Sequence, residues 1–168
     1  MESRVKLLGH PIHPMLIVFP LGLLGMAVIF DIIRLIFGTT QLAPASYYMI
    51  AAGIITGLLA AVFGLIDWLA IPSGTRAKSI GLWHGLGNVV VVVLFAASWW
   101  LRRDDPAAPS TGAFVFGLIG LGLALVTGWL GGELVDRLGV GVDDGANLDA
   151  PSSLSHAPAR SRTVAAQH

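Results

Sequence analysis

The chain is predicted to be an all-α polytopic membrane protein: an antiparallel bundle of four transmembrane helices followed by a disordered C-terminal tail. Three observations carry this expectation. Hydrophobic residues fill 55% of the 168 positions and charged residues only 12%, against about 25% charged in an ordinary soluble domain. A globule with so few charges cannot clothe its surface for water. Four stretches reach the ~20 mostly apolar residues needed to cross a hydrocarbon core about 30 Å thick. They are too long and too uniformly apolar for a β-barrel, whose segments of about 10 residues alternate in polarity.

The first span runs from about Met15 to Phe37, the second from about Ala45 to Ile71, the third from about Ile80 to Leu101 and the fourth from about Gly112 to Leu134. Turn-forming residues separate them: Gly38-Thr39-Thr40, Pro72-Ser73-Gly74 and Arg102-Arg103-Asp104-Asp105-Pro106, with Gly139-Val140-Gly141 after the last. Linkers this short make sequential helices antiparallel neighbours. Pro20 lies within the first span, where it removes the hydrogen bond to Leu16 and kinks the helix. That span outlasts the core of a signal peptide, about 7–15 residues, and carries Asp31 and Arg34, so it is read as retained. The transmembrane domain is expected over 1–142. From 143 to 168 the chain is rich in Ala, Ser, Pro and Asp, with little to bury, and is read as disordered.

Composition also excludes whole classes of function. Ten basic and ten acidic residues cancel, and without a basic face there is no start for nucleic-acid recognition. The absence of cysteine excludes disulfides, iron–sulfur clusters, covalently attached haem and cysteine–zinc sites. There is no Gly-x-Ser-x-Gly, phosphate loop or His-Glu-x-x-His, so an enzymatic role is the weakest reading.

Four spans put both termini on one side, called X. Near the membrane, X carries Arg4, Lys6, Arg76, Lys78 and Arg137 and the far side Arg34, Arg102 and Arg103, so X is read as the cytoplasmic side of the inner membrane. Spans meet in lipid through close backbone approach at small residues. Gly53-x-x-x-Gly57, Gly81-x-x-x-Gly85 and Gly128-x-x-x-Gly132 each set two glycines on one face, for packing within the chain or as a homodimer face. Gly57, Gly85 and Gly128 are expected at close contacts.

Ionisable groups in or beside a membrane are costly, so their placement is informative. All four helices deliver an imidazole or a carboxylate to X: His10 and His13 before span one, Asp67 at the end of span two, His84 near the start of span three, and Glu133 with Asp136 at the end of span four. Such a mixed set can hold a divalent transition metal, with Asn88, four residues after His84, hydrogen-bonded behind it. Imidazole ligands must be neutral, so such a site loses metal as pH falls through about 6.5, the reference histidine value. A b-type haem between His13 and His84 is the alternative cofactor. The competing readings are structural. His10 and His13 can bind headgroups, Asp67 can pair with Arg76 or Lys78, and Glu133 with Arg4 or Lys6. Asp31 and Arg34, three apart, can pair at the far end. Trp68, Trp83, Trp99 and Trp100 read as an interfacial belt, and His156 and His168 as bystanders in the tail.

The opening Gly9-His10-Pro11-Ile12-His13-Pro14, then Gly64-Leu65-Ile66-Asp67, His84 with Asn88, and the closing Gly131-Gly132-Glu133-Leu134-Val135 together resemble the bacterial predicted membrane protein family known as domain of unknown function 2231. The likeness spans about Gly9 to Val142. The family's opening carries a histidine before Phe-Pro where this chain has Val18. The resemblance implies a four-helix membrane domain and names no activity. The leading functional expectation is a metal- or haem-binding membrane module, linked to redox partners. The second is a cofactor-free accessory subunit and the third a small ion or proton transporter.

Overall fold

Each of the four apolar stretches forms one long helical segment. The structure is a computed structural model that describes residues 1–155; the expected tail from 156 on, with His156 and His168, lies outside the described residues. A two-residue hairpin opens the chain, β1 (Lys6–Leu7) against β2 (His10–Pro11), with Leu7 opposite His10. Its turn takes Leu8 and Gly9 through positive φ, 52° and 85°, which glycine accepts readily and leucine does not. Then follow α1 (Ile12–Leu16), α2 (Val18–Phe37), α3 (Leu42–Ala70), α4 (Arg76–Trp100) and α5 (Thr111–Gly132), and α5 runs on into a π-helical turn, Glu133–Arg137.

The first span is α1 and α2 together, 26 residues from Ile12 to Phe37. It is interrupted at Ile17, three residues before Pro20, which has no N–H to donate to the carbonyl of Leu16. The approach to the membrane is thus a hairpin followed by one helical turn, and His13 lies inside that turn. The other helices start up to four residues earlier than the apolar runs (Arg76 against Ile80), and α4 and α5 open on hydroxyl caps. Thr75 Oγ1 accepts from the Lys78 amide at 3.2 Å, and Ser110 Oγ from the Ala113 amide at 3.3 Å. At about 1.5 Å per residue every segment exceeds the ~30 Å of hydrocarbon.

The helices close a ring in which α2 packs chiefly on α3 and α4 chiefly on α5, with α3 against α4 and α2 against α5 completing it. Leu24, Ala27, Val28, Ile50, Val91 and Phe95 form the buried core. Hydroxyls link helices through backbone carbonyls: Ser46 Oγ donates to Ala27 at 3.1 Å and Ser98 Oγ to Ala113 at 2.6 Å. Both ends of the membrane domain meet on one side, where the Met1 ammonium donates to the Gly139 carbonyl and the Gly141 amide to the Met1 carbonyl, each at 2.9 Å. Residues 143–155 contain no helix or strand. They turn back over the N-terminal arm, where Asp143 lies 3.5 Å from Lys6 Nζ and the Asp144 amide donates to Glu2 at 3.2 Å.

Two expectations are corrected. Asp31 does not pair with Arg34. It is buried and takes a two-pronged bond from Arg102, Nη1 to Oδ1 at 2.9 Å and Nη2 to Oδ2, while Arg102 Nε donates to Ser98 Oγ at 3.3 Å. A buried carboxylate needs a cation buried with it, and Arg34, half-exposed on the same helix, cannot supply that fork. The close glycine contacts also differ. A β-carbon at Gly85 or Gly128 would meet nothing within 4 Å, and one at Gly57 would only touch Pro20 at 3.5 Å. Tight approaches occur at Gly53, Gly81, Gly87 and Gly120, because i,i+4 spacing selects a helix face without saying whether it points to a helix or to lipid.

At Gly120 the neighbour is an aromatic ring of the core. A β-carbon there would lie 2.9 Å from the ring of Phe95, which is wholly buried and has nowhere to go. Gly120→Leu will force α5 from α4 and lower folded yield in detergent, whereas Gly122→Leu, open within 4 Å on the same helix, will be tolerated. Equal yields of the two variants would refute the packing at Gly120.

Candidate functional site

His13 and His84 are the two sequence-selected residues that meet. Their ring centroids lie 6.4 Å apart with the planes at 87°. His13 comes from α1 and lies against α3, where its Nδ1 is 2.8 Å from the Ala60 carbonyl. His84 comes from α4 and lies against α5, where its Nδ1 is 2.8 Å from the Thr127 carbonyl. A carbonyl only accepts, so each Nδ1 carries a proton, and it is the neutral form of such a ring that offers Nε2 as a ligand.

The two rings are seated in the same way. One turn beyond Ala60 is Gly64, where a β-carbon would lie 2.8 Å from His13 Cε1; one turn beyond Thr127 is Gly131, where it would lie 3.1 Å from His84 Cε1. Each imidazole therefore rests on a glycine of the neighbouring helix and points its Nδ1–H at a carbonyl four residues earlier. The chain repeats the device across two helix pairs. Asn88 adds a polar contact: its Nδ2 donates to the His84 carbonyl at 2.8 Å and lies 3.4 Å from His84 Nε2. Its Oδ1 accepts from Thr127 Oγ1 at 3.2 Å.

The other expected ligands are engaged elsewhere. Asp67 receives Ser3 Oγ on both oxygens, at 2.8 and 2.7 Å, and the Arg4 amide at 2.7 Å. It pins the N-terminal arm and does not pair with Arg76 or Lys78. Glu133 pairs with Arg76 at 2.6 Å and not with Arg4 or Lys6, because Arg76 opens α4 beside the end of α5. Lys78 caps the end of α3, its Nζ 2.7 Å from the Trp68 carbonyl and over the indole ring. His10 is exposed in β2, with Nε2 3.2 Å from Ser153 Oγ, and Asp136 is exposed on the π-helical turn. Lys6 hydrogen-bonds to Glu2 and holds that carboxyl below its usual range. Among the described residues no three His, Asp or Glu side chains converge as one metal-binding set.

Sequence reasoning named both histidines but missed what orients them. Gly64 and Gly131 stood in the motifs already singled out, beside Asp67 and Glu133, and no role toward the histidines was read for them. A glycine at the end of the bundle on the helix neighbouring each histidine was the available signal.

Fold and site together define a polytopic four-span membrane protein with a histidine pair toward the end where Met1 meets Gly139 and Gly141. A family model described as predicted membrane protein (DUF2231) matches residues 9–144, and the chain belongs to that family. No curated protein and no solved structure matches the chain.

Proposed function

We propose that the chain is a membrane metal-binding module whose centre is held between His13 and His84. The observation that supports this most is the pair of Nδ1 contacts to backbone carbonyls at 2.8 Å. Metal-ligating histidines almost always donate their other ring N–H to such an acceptor, which sets the tautomer and aims the free nitrogen. The separation suits a shared ion. Two nitrogen–metal bonds of about 2.0–2.1 Å and a ring half-width of about 1.2 Å on each side reach at most about 6.6 Å, and the centroids, 6.4 Å apart, lie within that reach. His10, Asp67 and Glu133, with bonds of their own, serve to hold the surrounding arm and helix ends. The excess of basic residues at this end favours a centre facing the cytoplasm.

The test is metal retention by the purified full chain. After loading with a transition metal and dialysis, wild type will retain one ion per chain. His13→Gln and His84→Gln will each cost more than the ~100-fold that loss of a supporting hydrogen bond costs, and His10→Gln will change nothing. Wild-type retention in either of the first two variants would overturn the proposal and leave the accessory-subunit reading.

A further inference from the structure

We infer that the membrane domain is a fused pseudo-dimer: two copies of one helix-pair unit, each shaped to bind the other, with the histidine pair on the two-fold axis between them. The first unit is α1 to α3 and the second is α4 with α5. Moving 71 positions along from the first unit's leading helix, or 67 from its second helix, reaches the matching residue of the second unit. Each contact within the first unit named here then recurs within the second. His13 points Nδ1 at the Ala60 carbonyl and His84 points it at that of Thr127, both at 2.8 Å. Gly64 lies against His13 and Gly131 against His84. A β-carbon at Gly53 would meet Leu24 at 2.6 Å and Leu23 at 3.4 Å, and one at Gly120 would meet Phe95 at 2.9 Å and Leu94 at 3.5 Å. A hydroxyl-to-carbonyl bond joins Ala27 to Ser46, and another joins their matches Ser98 and Ala113, with the donor on the opposite helix. One constant shift per helix accounts for all of them.

Contacts between the units carry the symmetry. A residue that meets its own match across an interface lies on the two-fold axis. Asp31 and Arg102 are matches, and they bond to each other. His13 and His84 are matches, and their ring centroids lie 6.4 Å apart. Between these levels the matches Leu24 and Phe95 share one buried core. Both α2 and α4 run away from X, so the axis lies along the membrane normal, as in parallel repeats. The histidine site therefore belongs to neither unit alone, because each supplies one imidazole. The units differ in what surrounds the rings: Asn88 and the Thr127 hydroxyl are bonded together beside His84, where the first unit has Ile17 and Ala60.

The experiment exchanges matched residues in the full chain and reads folded yield in detergent. Leu24→Phe, Ala27→Ser and Asp31→Arg, made together with Phe95→Leu, Ser98→Ala and Arg102→Asp, carry the axial residues of each unit into the other. This full exchange is expected to keep yield within about twofold of wild type, since the moved guanidinium regains a hydroxyl at position 27 and the moved ring regains a glycine at Gly53. The half exchange, Leu24→Phe with Ala27→Ser and Asp31→Arg, sets two guanidinium groups on the axis and should lose on the order of tenfold or more. The charge exchange alone, Asp31→Arg with Arg102→Asp, leaves the guanidinium without its hydroxyl and should fall between them. A full exchange that folds better than the charge exchange supports the two-fold relation, because an ordinary ion pair gains nothing from exchanging Leu24 with Phe95 or Ala27 with Ser98. A full exchange no better than the charge exchange would overturn it. Neither outcome depends on what the histidines bind.

Discussion

Arg102→Leu will destabilise the bundle by about 3–5 kcal/mol, the range for removing one partner of a buried ion pair. The reason is what remains. Asp31 is 1% exposed and would be left buried without the guanidinium that pairs with it, while Ser98 Oγ would lose the Arg102 Nε–H. Asp31→Leu should cost a similar amount, because it strands a guanidinium that is 0% exposed. The double variant, Asp31→Leu with Arg102→Leu, leaves no buried charge and should recover most of the loss, since an apolar replacement of a buried pair is often neutral. Reversible unfolding in mixed micelles measures all three. Strictly additive losses would mean that the two side chains do not act as a pair.

Gly131→Leu will weaken metal retention about 10–100-fold without unfolding the bundle, the scale seen when a supporting contact of a ligating histidine is lost. The added side chain starts 3.1 Å from His84 Cε1 and pushes the ring off the Thr127 carbonyl. Freed from that acceptor, the imidazole has no reason to keep its proton on Nδ1. Gly64→Leu should act in the same way on His13, where the β-carbon would lie 2.8 Å from Cε1. Gly132→Leu, with nothing within 4 Å, is the control one residue away and should bind as wild type. Circular dichroism and tryptophan emission report folding separately. Wild-type affinity in Gly131→Leu would show that the glycine seat does not orient His84.

Span number, helical character and the return of residues 139–141 to the side of Met1 were readable because they depend on quantities local to the chain: runs of apolar residues, breaks at Gly and Pro, and the parity of four crossings. His13 and His84 were readable too, since a polar group near a bilayer is rare enough to stand out. Partnership was not. Asp31 is three residues from Arg34 yet bonds to Arg102, 71 positions away. Gly128 and Gly131 look alike in sequence, but only Gly131 has an imidazole against it. Asp67 and Glu133 arrive at the right end of the bundle and are then taken by Ser3, the Arg4 amide and Arg76. Topology assigns each side chain to an end of the bundle. Which neighbour it meets there depends on helix rotation and interhelical distance, and those are set by the summed packing of faces that are apolar all round and leave little trace in residue order.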